Sequence, residues 1–102
     1  MNYREDEMSI ADIIYNQFGG GRAMAMIGGK VVTGEKHIAV HFKGCRKTNI
    51  VTITLDEAMD LYRMTFYRLC GVALKEVKKF DSVYAEDMKE IFESETGLYL
   101  SL

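Results

Sequence analysis

Two segments in the middle of the chain alternate apolar and polar side chains, and this alternation constrains the fold more than any other feature. In KHIAVHF, residues 36–42, the histidines fall on one side. In NIVTITL, residues 49–55, Thr52 and Thr54 fall on one side. The apolar side of the two segments consists of Ile38, Val40, Phe42, Val51, Ile53 and Leu55. A period of two predicts β-strands with one face turned to a core.

Further strands are predicted on both sides of this pair. RAMAMI, residues 22–27, is a short apolar run among predicted strands. The apolar pattern of residues 54–69 is compatible with either a helix or a strand. We predict a turn at Asp56–Asp60 followed by a strand. VALKEVKKF, residues 72–80, is predicted as the last strand, at an edge that Lys75, Lys78 and Lys79 protect against aggregation.

Helices are predicted at the two ends. Ser9 with Asp12 resembles a capping box, and Gly19 is suited to end the first helix. Asp81 or Ser82 is predicted to cap the second, and Gly97 to end it, with Leu98 packing behind. The apolar positions with helical spacing are Ile10, Ile13, Ile14 and Phe18 in the first helix, and Tyr84, Met88, Ile91 and Phe92 in the second.

These elements predict an α+β fold, with an antiparallel sheet of about four to five strands flanked by an N-terminal and a C-terminal helix on one face. Residues 1–102 are expected to form a single domain, with residues 1–8 as a loose N-terminal arm. Cys45 and Cys70 lie in no paired motif, and apolar runs are too short to span a membrane. We therefore expect a cytoplasmic protein with free thiols and no membrane partner.

The glycine-rich stretch QFGGGRAMAMIGGK, residues 17–30, is the nearest approach to a chemical motif. A Walker loop requires a glycine where Met24 stands and a hydroxyl residue where Val31 stands. The stretch is better interpreted as a helix cap and loop followed by a Gly-Gly hairpin bend. A candidate binding loop nevertheless remains open, because glycines let a partner's backbone approach closely. Its members are Gly20, Gly21, Arg22, Gly28, Gly29 and Lys30.

The chain offers no motif for catalysis, cofactor binding or metal binding. His37 and His41 share a strand face, but four strand residues separate their Cα atoms by about 13 Å. One zinc ion with bonds of about 2 Å cannot readily take both without further ligands between them. We therefore predict no catalytic residue, no cofactor and no metal site.

Basic side chains interleave with aromatic ones in two segments, FKGCRKTN and YRMTFYRL. Such a pattern is typical of single-stranded nucleic-acid binding, in which bases stack and phosphates meet cations. The simpler interpretation is that the aromatic residues belong to the core and the charges form a solvated rim, and it is favoured because 15 acidic residues outnumber 13 basic ones. The candidate contacts, to nucleic acid or to another partner, are Lys43, Arg46, Lys47, Arg63 and Arg68.

The chain also resembles a family of small, largely uncharacterised phage and prophage proteins. The resemblance rests on Gly20 with AMIGGK (residues 25–30), and on VYAEDMKEIFESETGLYLSL (residues 83–102). Family members carry GG-x-x-F-x-A-M-T-G-A-K after the first helix and end in E-x-TGLYTSL. This chain differs by Ile27 for threonine, Gly29 for alanine and Leu100 for threonine. The resemblance implies a mobile-element origin and supports a strand over residues 61–69.

Together these features predict a non-catalytic, phage-encoded binding protein that engages a host or phage macromolecule, with inhibition of a host system as one such role. The alternative is a single-stranded nucleic-acid-binding accessory protein that uses the basic and aromatic residues. A homodimer is also expected, through a sheet edge or a partly covered apolar helix stripe.

Overall fold

A computed structural model of the chain describes residues 9–101, so the predicted arm at residues 1–8 lies outside the described residues. Two helices come first, then five strands, then a 3₁₀ turn and a last helix. Their bounds are Ile10–Phe18 (α1), Gly20–Ile27 (α2), Lys30–Thr33 (β1), His37–His41 (β2), Ile50–Asp56 (β3), Leu61–Cys70 (β4), Ala73–Val83 (β5), Ala85–Asp87 (the 3₁₀ turn) and Met88–Thr96 (α3).

The five strands form one antiparallel sheet in chain order, β1-β2-β3-β4-β5. The α+β prediction is therefore confirmed, and β5 is an edge strand as expected. The predicted turn before β4 is also confirmed. At that turn the Asp56 carboxylate accepts hydrogen bonds from the main-chain N–H groups of Ala58 and Met59. Asp60 completes the turn in the left-handed region, at φ 57°.

One face of the sheet carries the core, as the alternation predicted. Ile38, Val40, Val51 and Ile53 are buried in a cluster to which all three α-helices contribute. Phe92 of α3 lies at the centre of this cluster. Its ring centroid is 5.2 Å from that of Phe18, 5.0 Å from that of Phe42 and 6.2 Å from that of Phe66. Both terminal helices thus cover the same face of the sheet.

The first helix begins and ends where the sequence predicts. The Ser9 hydroxyl accepts a hydrogen bond from the Asp12 main-chain N–H at 3.1 Å, which satisfies one free donor of the first turn. Gly19 follows at φ 129°. Within the predicted stripe, however, Ile13 is exposed, and Ala11 occupies the buried position instead.

The glycine-rich stretch is a helix, so its interpretation as a loop, a short strand and a hairpin bend was wrong. Gly19 and Gly20 both have positive φ, which turns the chain sharply between α1 and α2. The helix α2 then buries Ala23, Met24 and Ile27. Tertiary burial of this apolar side outweighs the poor helix propensity of the glycines.

The predicted start of the last helix was also wrong. Asp81 and Ser82 belong to β5, which continues pairing with β4 until Val83 opposite Tyr62. Ser82 has φ 58° at an irregularity of this pairing. Tyr84 is exposed and does not join the buried side of α3. The predicted end is confirmed, since Gly97 caps α3 at φ 75°.

Candidate functional site

The hairpin of β4 and β5 projects beyond the rest of the sheet. The first residue of β3, Ile50, pairs with Tyr67, whereas β4 continues to Cys70. Beyond Tyr67 the two strands pair only with each other, through Arg68–Lys75, Leu69–Leu74 and Cys70–Ala73. At about 3.3 Å per residue, three such pairs extend the hairpin by about 10 Å. We call residues 68–75 the hairpin tip.

Side chains from the loop before β3 hold the base of the tip. The Asn49 side-chain carbonyl accepts from the Leu69 N–H at 2.8 Å, and its amide donates to the Leu69 carbonyl at 3.0 Å. The buried Thr48 hydroxyl donates to the Tyr67 carbonyl at 2.6 Å. These bonds replace the missing strand partner, so the tip leaves the sheet in a fixed direction.

The outer part of the tip, residues 70–74, is apolar. The Val72 side chain is fully exposed and Leu74 is 57% exposed, while Cys70 presents a free thiol. Gly71, at φ 63°, and Val72 form a two-residue turn. Two-residue turns usually carry Asn, Asp or Gly. These residues tolerate the backbone angles of the turn, and Asn and Asp also present polar side chains to water. Exposed apolar side chains in a projecting turn indicate a contact surface.

Two cations form the first residue pair of the tip, at its base. Arg68 and Lys75 are directly opposite each other in the β4–β5 register, so their side chains leave the same face of the hairpin. Like charges in this position destabilise a strand pair. Within residues 9–101, neither forms an ion pair with a carboxylate. An anionic group between the two side chains would remove this repulsion.

The structure separates Arg63 from the other predicted basic contacts. Arg63 and Arg68 are five residues apart on one strand, which places them on opposite faces and about 16 Å apart. The Arg63 guanidinium lies 3.0 Å from an Asp81 carboxylate oxygen and 3.5 Å from one of Asp56. Arg63 therefore serves the local structure of the sheet and does not extend the basic cluster.

The remaining three predicted contacts lie at the end of the sheet from which the tip projects. Lys43, Arg46 and Lys47 are exposed in the loop between β2 and β3. The ammonium group of Lys47 is 3.1 Å from a Glu95 carboxylate oxygen of α3. Only Arg46 and Lys43 therefore add unpaired charge among the described residues, and Lys43 packs beside Gly28.

The aromatic residues near these charges do not form a stacking platform. Phe66 is fully buried. The Tyr62 hydroxyl donates to the Gln17 side chain at 2.7 Å, and Tyr62 packs against the core. Of the three aromatic residues in YRMTFYRL, only Tyr67 faces away from the helices. The interleaving in the sequence reflects strand alternation.

The residues of the predicted glycine-rich binding loop belong to α2, to β1 or to the connection between them. Gly20, Gly21 and Arg22 form the first turn of α2, and Lys30 begins β1. Gly28 ends α2 in the left-handed region at φ 60°. A Cβ atom on Gly29 would lie 2.9 Å from the Met24 sulfur. Backbone conformation and close packing thus account for Gly28 and Gly29.

Other site types find little support in the described part of the chain. His37 and His41 are both exposed at opposite ends of β2. Across residues 9–101, no group of three His, Cys, Asp or Glu side chains is arranged to hold a metal ion. No helix within the same range is long and apolar enough to cross a membrane.

Comparison with known proteins adds no functional assignment. No protein-family model matches the chain, and neither a curated protein nor a solved structure gives a significant match. The resemblance to phage proteins therefore stays a prediction, and the candidate site rests on geometry.

The sequence interpretation missed the hairpin tip, although one signal was present. Residues 69–74 read LCGVAL, an apolar run around a single glycine. An exposed turn normally interrupts such a run with polar residues. The absence of polar residues could have marked this turn as a contact surface.

Proposed function

We propose that this protein is a non-catalytic, phage-encoded binding protein that engages a host or phage protein through its hairpin tip. The observation that supports the proposal is a projecting, apolar turn with a fixed base. Val72 and Leu74 are its exposed anchors, and Asn49 holds its direction. A preorganised anchor loses little conformational entropy on binding, which favours affinity.

The chemistry of the tip favours one class of partner, a protein with an acidic rim around an apolar cleft. Val72 and Leu74 require a shallow apolar cleft, and Arg68 with Lys75 requires carboxylates at its rim. A nucleic acid or an anionic membrane is less suitable, because the chain has a net charge of -2. Occupying a functional cleft would inhibit the partner, which is the role we propose in a bacterial cytoplasm.

The proposal is tested by capture of partners from host lysate, with and without nuclease. We compare the wild type with Leu74→Asp and with the matched control Met59→Asp. Leu74 and Met59 are 57% and 59% exposed, and Met59 lies in the turn between β3 and β4. We expect a stoichiometric protein partner that survives nuclease and is retained by Met59→Asp, but is lost with Leu74→Asp, by about 100-fold in affinity.

Charge reversal tests the predicted acidic rim. Arg68→Glu and Lys75→Glu should each weaken binding of the captured partner about tenfold, and added salt should weaken wild-type binding. Capture of nucleic acid alone, released by salt, would instead favour the nucleic-acid alternative through Arg46 and Arg68. Equal loss of the partner by Leu74→Asp and Met59→Asp would contradict a contact at the tip.

A further inference from the structure

The face of the sheet opposite the helices, here called the open face, has the composition of an interface. All three α-helices contribute to the core cluster on the other face. The middle of the open face carries one charged side chain, Arg63, which pairs with Asp56 and Asp81 at one end of the face. Its other residues are Val32, Ala39, Ile50, Thr52, Thr54, Thr65 and Tyr67, of which Ile50 and Thr65 are already buried by their neighbours within the chain. Depletion of charge at the centre with charges at the rim is typical of protein interfaces.

Charged residues stand at both edges of the open face: Lys30 on β1, and Glu76 with Lys79 on β5. One row of paired residues crosses all five strands in the order Lys30, His41, Ile50, Tyr67, Glu76. It therefore begins with a cation on β1 and ends with a carboxylate on β5. Both end residues are exposed. Four strand spacings, about 19 Å, separate them, so they cannot meet within one chain.

We propose that the open face binds a second copy of this chain, around a two-fold axis that runs along β3. This rotation reverses the row, so that Lys30 of each copy meets Glu76 of the other. His41 then lies over Tyr67 of the second copy, and Ile50 over its own equivalent. An isologous interface requires such self-complementarity, in which each contact occurs twice.

The size and shape of the open face suit this arrangement. Strands of 4 to 11 residues, about 4.8 Å apart, give a face of roughly 600 Å². Two copies would cover about 1,200 Å², the lower end for stable interfaces. Ala39 and Thr52 have short side chains, which permit the spacing of about 10 Å between packed sheets.

The first experiment measures the molar mass of the intact protein by sedimentation equilibrium over a wide concentration range. We expect a monomer–dimer equilibrium for the wild type. Thr52→Glu should raise the dimer dissociation constant about 100-fold, because the axis sets this carboxylate against its own copy. The control is Thr33→Glu, since Thr33 is exposed on the opposite face of β1. It should leave the equilibrium unchanged.

Charge reversal separates a direct contact from a loss of folding. Lys30→Glu and Glu76→Lys should each raise the dimer dissociation constant about tenfold. The double variant should return it to within about threefold of the wild type, because the attraction between copies is restored with reversed sign.

Three results would overturn the proposal. A wild type that stays monomeric would leave the open face to a different partner. Equal effects of Thr52→Glu and Thr33→Glu would place the interface elsewhere. A double charge reversal that adds the two single effects would show that Lys30 and Glu76 do not meet across the interface.

Discussion

The two turns that bound β4 are built in opposite ways. The turn before β4, residues 57–60, is polar and cross-linked. Asp56 accepts two main-chain N–H bonds there, and the Lys36 ammonium lies 2.7 Å from a Glu57 carboxylate oxygen. The turn after β4, Gly71–Val72, is apolar, and its exposed side chains contact little of their own chain.

This difference separates a structural turn from a proposed contact surface on the same strand. Bonds around Asp56 connect the turn to Arg63 and hence to Asp81. The tip, apart from the pairing of its own two strands, has side-chain hydrogen bonds only at its base, where Asn49 holds Leu69. Substitutions at the first turn should therefore change stability, and substitutions at the tip should change binding.

Among the substitutions that test this difference between the two turns, the one at Asn49 is expected to lower stability most. Asn49→Ala removes both side-chain bonds to Leu69 and leaves a half-buried N–H and carbonyl without partners. We expect a loss of about 2–3 kcal/mol in the free energy of unfolding, together with weaker binding by the tip. Chemical denaturation and partner titration measure the two effects. Asn16→Ala, at an exposed asparagine of α1, is the control and should change neither.

Asp56→Ala should have the next largest effect. It removes two bonds within the turn and the ion pair with Arg63. We expect a loss of about 1–2 kcal/mol in the free energy of unfolding, with partner affinity unchanged. Weaker binding by a variant that is still folded would show that the two turns are not independent.

A smaller effect is expected from Gly71→Ala in the tip. Gly71 has φ 63°, where an L-residue costs about 1 kcal/mol, although a Cβ atom there would meet no neighbour within 4 Å. Gly21→Ala is the matched control. Gly21 lies in the first turn of α2 with ordinary helical φ, so alanine should stabilise the protein by about 0.5 kcal/mol. Thermal melts should therefore shift in opposite directions.

The sequence predicts the parts of the fold that depend on local patterns, and it does not predict the parts that depend on contacts between residues distant in the chain. Ile38, Val40 and Val51 alternate with more polar residues, and this alternation predicted which strand face is buried. Because successive side chains of a strand point to opposite faces, only one orientation of the strand places all the apolar residues in the core. In α2, by contrast, Ala23 and Met24 are buried by elements distant in sequence. Local propensity in a run of glycines could not show this.

The candidate site depends even more on distant contacts. The length of the hairpin tip follows from the register of β3 against β4, which Asn49 and Thr48 secure through bonds to β4. No local pattern contains that register. The separation of Arg63 from Arg68, however, could have been predicted, because residues five apart on a strand face opposite sides.

The smallest effect concerns Tyr62, which connects the polar end of β4 to α1 through Gln17. Burial raises the pKa of the Tyr62 phenol, and the nearby Asp60 charge acts in the same direction. A pKa raised in the folded state means that the stabilisation is complete below the pKa of the unfolded chain, near 10. It is then lost as the pH rises through the higher folded value.

Tyr62→Phe should lower the free energy of unfolding by about 0.5 kcal/mol at neutral pH, because it removes the hydrogen bond to Gln17. Above about pH 10 the wild type should lose stability faster than the variant, so the gap between them should narrow. The hydrogen bond to Glu57 also raises the pKa of Lys36, but Lys36 is present in both proteins and cancels in their difference. Urea denaturation across the alkaline range measures that difference. Parallel curves would show that Tyr62 ionises equally in the folded and unfolded chains. Equal stability of the two proteins at neutral pH would show that the hydrogen bond to Gln17 does not hold this end of β4 to α1.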